Sequence, residues 1–250
     1  MEKKGIVAGR NPVLEYLRSQ GHSFLNVAIA ESAHGKIINE IISAANSRKV
    51  RIDRMGRDFF KDFGPSSTHQ GVVLFLAPGH GSVPRTAPRS EKTLIETAIN
   101  QKGVLVLLDQ INDPHNAGAI IRTAEGLGCC GIVMTSSNSV DITPALVKAS
   151  AGATAHIPVH KITNAASFMR EAKNAGIWIV GTSDKGDAPP VSLSKYRPAL
   201  VIIGSEGGGM RRLTSEMCDV VAAIPLKGRT GSLNASVAAG IILYEILKEA

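Results

Sequence analysis

Five uninterrupted apolar runs in the second part of this 250-residue chain restrict its fold more than any other feature. GVLVLLD (103–109), GIVMT (131–135), IWIVGT (177–182), ALVIIG (199–204) and VVAAIP (220–225) are each of strand length, and helical stretches lie between several of them. A strand with one wet face alternates apolar and polar residues, whereas one that is apolar throughout is covered on both sides. Such strands alternating with helices predict an α/β domain built on a parallel sheet with helices on both faces. In such sheets ligands collect at the carboxyl ends of the strands.

The preceding part of the chain reads differently. PGHGSVPRTAPRS (78–90) holds three prolines, two glycines and almost no apolar residue, a linker composition. We therefore expect two domains, 1–77 and 102–250, with 78–101 as the linker. Upstream of it, Asn11 is expected to cap a short helix with Pro12 at its first position, FLNVAIA (24–30) reads as a strand, and KIINEIISAAN (36–46) has helical spacing. VRID and GVVLFLA add strands, giving a small α/β unit.

The formal charge of +7 favours a polyanionic partner without naming one. Residues 1–77 carry eleven basic against seven acidic side chains, and RKVRIDRMGRDFFK (48–61) alone has six basic groups beside Phe59 and Phe60. Such a stretch suits RNA phosphates or a solvated basic face. Cys129, Cys130 and Cys218 show no CxxC spacing, and the seven histidines fall in no HExxH, so no metal site is expected. No apolar run reaches eighteen residues and MEKKGIVAGRNP lacks an export signal, so we expect no membrane span and a cytoplasmic protein.

Three strand ends lead into unusual loops. After Asp109 comes INDPHNAGAIIR, in which Asn116 is a candidate helix cap. On the helix that follows, Ala117, Ile120, Ile121, Ala124 and Leu127 form one apolar stripe, and Arg122 lies opposite among Gly118, Ala119 and Gly126. Small residues around an arginine permit close approach of another molecule. After Gly204 comes SEGGGM, which is neither a P-loop nor a GxGxxG fingerprint. After Pro225 comes LKGRTGSLNASVAAG, where Ser232 or Asn234 can cap the last helix. That helix carries Val237, Ile241, Ile242, Leu243, Tyr244, Ile246 and Leu247 in nearly every direction, so its own domain, a second subunit or both must enclose it.

Taken in order, DPHNAGAIIR, GSEGGGM and IPLKGRTGSLNASVAAGIILYE resemble the three motifs of the SpoU, or TrmH, family of RNA 2'-O-ribose methyltransferases, over about 150 residues from Val104. GRNPVLEYL (9–17) is similar to the RNA-binding domain of the family's ribosomal RNA branch. The resemblance implies S-adenosylmethionine as methyl donor, a deep trefoil knot near the C-terminus, a ribosomal protein L30e-like N-terminal domain, and a homodimer through the C-terminal domain. It further implies ribosomal RNA as substrate, specifically a guanosine in the peptidyl-transferase region of 23S rRNA; tRNA and a non-catalytic RNA-binding role are the alternatives. By motif position, Arg122 would be the catalytic arginine, with Asn116, Glu206, Ser232 and Asn234 orienting it, the ribose or the donor. Gly204, Ile224 and Leu233, with Thr182, would hold the donor's adenosine part. For RNA, Arg10 lies in a family stretch, whereas Arg48, Arg51 and Arg54 are candidates on charge density alone.

Overall fold

The structure, a computed structural model, describes residues 5–77, 90–137, 139–229 and 231–248. The chain forms two compact units. The first combines the described residues before 78 with Ile142–His156, and the second takes 90–141 and 157–248.

In the first unit the elements run β1 (Ile6–Ala8), α1 (Arg10–Arg18), β2 (Phe24–Ala30), α2 (Lys36–Ser47), β3 (Arg51–Met55), a 3-10 turn over Arg57–Phe63, α3 (Ser66–His69) and β4 (Val72–Leu76). They build a four-stranded mixed sheet in the order β1-β4-β2-β3, with β2 and β3 parallel and β4 antiparallel to β1 and β2. Helix α2 buries Ile38, Ile41 and Ala45, one face at helical spacing. Helix α1 buries Val13, Leu14, Tyr16 and Leu17. Its start differs from expectation: Gly9, at φ 105°, is the N-cap residue, and Asn11 already lies inside the helix. Pro12 is tolerated as the third helical residue because the first helical N–H groups have no intrahelical acceptor to lose.

Residues 142–156 were expected in the second domain, and their contacts correct that boundary. Thr143 caps a short helix, which in chain order is α6 (Pro144–Ala149), and the following turn brings the Thr154 hydroxyl to 3.2 Å from that of Tyr16. His156 Nε2 lies 2.9 Å from Glu15 Oε2. Gly152, at φ 91°, comes so close to α1 that a Cβ there would sit 3.0 Å from the Pro12 Cα.

The second unit contains α4 (Glu91–Asn100), β5 (Val104–Asp109), α5 (Pro114–Gly126), β6 (Gly131–Thr135), β7 (Val159–Ile162), α7 (Ala165–Asn174), β8 (Trp178–Thr182), a 3-10 turn over Pro190–Lys195, β9 (Ala199–Gly204), α8 (Arg212–Glu216), β10 (Val220–Ala222) and α9 (Ala235–Leu247). Its six strands are all parallel, ordered β10-β8-β9-β5-β6-β7. Each of the five apolar runs supplies a strand. The sixth, β7, was missed because it is an edge strand in which a half-buried His160 and an exposed Lys161 interrupt the apolar residues.

The expected linker is also corrected. Residues 78–89 lie outside the described residues, but Glu91–Asn100 is helix α4, capped by the Ser90 side chain. Its Leu94, Ile95 and Ala98 are buried in one core with Leu105, Leu107, Phe168 and Leu200. Helix α5 opens on Asp113, whose carboxylate accepts the His115 N–H at 2.9 Å, so Asp113 and not Asn116 is the cap. Helix α9 buries Ala239, Ile242, Leu243 and Ile246 but leaves Val237, Ile241 and Tyr244 exposed, one face at i, i+4, i+7 spacing.

Burial pushes the Tyr16 phenol from 10.0 up to about 12, against a smaller opposing effect of the Thr154 hydrogen bond. A proton held more tightly when folded stabilises fully below pH 10 and stops doing so as pH rises toward 12. Tyr16→Phe should therefore cost about 1 kcal/mol at neutral pH through the lost Thr154 bond. Between pH 10 and 12 the mutant should escape a further decline of up to about 3 kcal/mol that the parent suffers. Chemical denaturation of both proteins across that range measures the difference.

Candidate active site

At the carboxyl ends of β8, β9 and β10 lies a cavity of about 660 Å³, a ligand-sized space. Thr182, Gly204, Ile224 and Leu233, the four residues expected to hold a donor, all line it, together with Glu206, Ser232 and Asn234. The wall is made from three loops because neighbouring parallel strands all release their chain at the same edge.

The loop after β9 is shaped by backbone. Ser205 and Gly209 exchange both N–H···O bonds, at 3.1 and 2.9 Å, closing a tight hairpin with Glu206 in its turn. Gly207 and Gly209 take φ values of 79° and 63°, where a side chain would be strained. The hairpin folds back on Gly204 so closely that a Cβ there would meet the Gly209 carbonyl carbon at 2.3 Å. Any other residue at 204 would lift the loop from the sheet.

Asn234 joins this loop to two helices. Its Oδ1 accepts the Ser236 N–H at 3.0 Å and the Val237 N–H at 3.4 Å, capping α9, and also the Ser236 hydroxyl at 2.6 Å. Its amide nitrogen donates to Asn116 Oδ1 at 2.9 Å and to the Glu206 carboxylate. The same carboxylate oxygen accepts the Ala235 N–H at 3.3 Å, so a negative charge rests at the positive end of α9. Asn116, Glu206 and Asn234, 118 residues apart at their widest, thus form one connected group.

Arg122 stands apart. It is exposed on α5, does not line the cavity, and makes no hydrogen bond or ion pair among the described residues. Six residues separate it from Asn116, which carries it about 9 Å along the helix and to another side. Thr182 gives its hydroxyl proton to the Ile202 carbonyl at 2.8 Å. Ser183 and Asp184, in a segment without a recognised motif, also line the cavity; their only sequence signal was their place at a strand end.

Two of the arginines expected to meet RNA are engaged within the chain. Arg48 donates to the carbonyls of Leu17, Ser19 and His22, and its guanidinium sits 4.9 Å above the Phe24 ring, so it fastens the chain between α1 and β2. Arg54 donates to the carbonyls of Ala30 and Ala33 at 3.2 Å and fastens the turn after β2. Arg10 bonds the Gln70 carbonyl through Nε at 3.2 Å. Arg51 pairs with Asp53 at 3.0 Å but keeps 74% of its side chain exposed. Burial pushes the thiols of Cys129 and Cys218 up to about 12 and 11, so neither is a ready nucleophile. Among the described residues no group of His, Cys, Asp and Glu is placed to hold a metal, and no helix is long and apolar enough to cross a membrane.

Comparisons with known proteins identify the family. The SpoU rRNA Methylase family matches residues 103–244, and the domain described as RNA 2'-O ribose methyltransferase substrate binding matches 6–80. A putative TrmH family tRNA/rRNA methyltransferase of Staphylococcus saprophyticus is 35% identical over 98% of this chain and 95% of its own length. The Bacillus subtilis protein YacO, described in the same words, is 35% identical over 99% and 97%. Among solved structures, the SpoU methyltransferase AviRb from Streptomyces viridochromogenes superposes with a TM-score of 0.76 at 24% identity, covering 98% of this chain and 88% of its own. The chain belongs to the SpoU family, a class of RNA methyltransferases that use S-adenosylmethionine.

Gly204→Ala tests the loop geometry directly. Displacement of the hairpin should weaken binding of S-adenosylmethionine by about tenfold or more, a loss of at least 1.4 kcal/mol, while the far-ultraviolet circular dichroism stays that of the parent. Isothermal titration with the donor gives the first quantity.

Proposed function

We propose that the cavity at the ends of β8, β9 and β10 holds S-adenosylmethionine, and that the chain methylates a ribose 2'-hydroxyl of ribosomal RNA, on a guanosine in the peptidyl-transferase region of 23S rRNA. The observation that carries this reading is the connected group in which Glu206 and Asn234, on the wall of that cavity, are joined to the buried Asn116 behind it. The residues suit the donor: glycine backbone at 204 offers N–H and C=O groups at close range, and Ile224 and Leu233 offer apolar surface to a flat base. We read the wall as the closed end of a trefoil knot, supported by α9, whose Ala238 and Ile242 line the cavity and whose cap bonds the 204–209 loop. The first unit, a four-stranded sheet with helices, is read as L30e-like and as the part that grips RNA.

Bound donor supplies an electrophilic methyl group on a sulfonium. The protein's work is then alignment and charge control. The Asn234 amide nitrogen already donates to both Asn116 and Glu206, which fixes the cavity wall. The residue that meets the developing alkoxide is Arg122. A guanidinium is a poor proton acceptor but a good partner for a phosphate and a nascent anion. Within one chain it does not line the cavity, so we assign it to the cavity of a second copy. The exposed stripe of Val237, Ile241 and Tyr244 on α9 supports a homodimer through this unit. Three cysteines, all free thiols, are compatible with a reducing compartment, the cytoplasm.

The relatives' shared description as tRNA/rRNA methyltransferases keeps tRNA as the second reading. Tritiated donor incubated with undermethylated 23S rRNA and with tRNA separates them, and label in neither would remove the proposal. Arg122→Ala should lower methyl transfer by about 100-fold or more while dimer and donor affinity persist. Mixing Arg122→Ala with Glu206→Ala subunits decides where the arginine acts. Heterodimers regain one working site if it reaches across the interface, and none if it serves its own chain.

A further inference from the structure

We infer that Asp109, acting through Arg211, is a positioning residue for methyl transfer, one that fixes the glycine-rich loop so that Glu206 stays against Asn234. This rests on the function proposed above. Asp109 is the last residue of β5 and only 1% exposed. A carboxylate is a poor choice for such a place: the five residues before it are all Val or Leu, and a buried charge is strongly disfavoured unless paired. One residue answers it from two directions. The Arg211 backbone N–H donates to Oδ2 at 3.2 Å, Nε donates to Oδ1 at 2.9 Å, and the second guanidinium nitrogen lies 2.7 Å from Oδ1.

The place of Arg211 gives the pair its meaning. Asp109 stands in register with Gly204, the residue at which β9 gives way to the loop. Arg211 is where that loop ends and α8 begins. The carboxylate therefore ties the loop's exit to the same spot on the sheet as its entry. Between these points lie three consecutive glycines, the residues with most backbone freedom to lose on ordering. Their hairpin is closed by Ser205 and Gly209, and only Glu206 reaches out of it to Asn234 and Ala235. The clamp at the loop's foot thus governs where its tip can be. From the other side of Asp109 the chain turns through Gln110, at φ 61°, into the segment that carries Asn116, so one buried carboxylate stands at the root of both partners of Asn234.

Two variants and a replacement pair separate positioning from bulk stability. Asp109→Asn keeps the shape and removes the charge. It should speed amide hydrogen exchange across residues 204–211 and lower kcat by about 100-fold, the scale of a misplacement near 1 Å. Arg211→Lys, on a half-exposed side chain, keeps the charge and should return most of the activity. The pair Asp109→Leu with Arg211→Met replaces the ion pair by apolar contact. It should match the parent in Tm, because apolar replacements of buried pairs hold stability, yet remain as slow as Asp109→Asn. If that double variant methylates RNA at the parental rate, or if exchange in 204–211 is unchanged in Asp109→Asn, the inference is overturned. Should the parent itself methylate no RNA, the functional reading fails, while the exchange measurement still decides the clamp.

Discussion

The Asn234 amide uses nearly all of its hydrogen-bonding capacity on three segments that are far apart in sequence. Its oxygen starts α9, and its two hydrogens reach the buried Asn116 of α5 and Glu206 in the loop after β9. A cap alone would ask only for an oxygen, which serine supplies equally well. The nitrogen is what brings together the first turn of one helix, the first turn of another and a glycine hairpin. Because Glu206 also accepts the Ala235 N–H, the same few atoms neutralise the exposed N–H groups at the start of α9 and hold the cavity wall. Helix capping and site construction are here one set of bonds.

That economy depends on the sheet. With every strand parallel, β5, β8, β9 and β10 deliver their following loops to the same edge, and residues more than a hundred positions apart become neighbours. The apolar interior does not choose among ligands. It supplies a rigid floor on which backbone and a few polar groups are set out, and the glycine at 204 shows how tight that setting is, since a single carbon there would collide with the returning loop. A carboxylate at the foot of β5, paired from backbone and side chain by Arg211, belongs to the same floor.

How much of this could be read from the sequence follows from which forces leave a local trace. Burial on both faces does: the five apolar runs became five strands, and the stripe on α5 from Ala117 to Ala124 is buried with Arg122 opposite. Edge position does not, so β7, with polar His160 and Lys161 between Val159 and Ile162, passed unnoticed. Helix α4 was hidden by its proline-rich neighbours although Ser90, Leu94, Ile95 and Ala98 carry an ordinary cap and face. The basic segment misled more seriously. Charge density suggested RNA contacts for Arg48 and Arg54, but an arginine also has five donors for backbone carbonyls left open at turns, and no local pattern announces where those will fall. The motif residues of the three loops were legible as a set through family resemblance, whereas their bonding was not: Asp113 displaced Asn116 as the cap and freed it to meet Asn234.

The distance of Arg122 from the cavity of its own chain is the structural fact with most to say about mechanism. A guanidinium fixed beside the donor's sulfonium within one subunit would set two cations together in a low-dielectric pocket, weakening donor binding before any substrate arrived. On the reading proposed above, the cavity of one chain would hold a cationic donor with no guanidinium of that chain beside it. Arg122 itself is exposed, and Gly126, one turn after it, adds no side chain beside the guanidinium. On the same unit α9 leaves Val237, Ile241 and Tyr244 uncovered, an apolar stripe of the kind that a second copy buries. If the site is divided in the way we propose, it forms only after subunits and substrate have come together, which would couple assembly to chemistry.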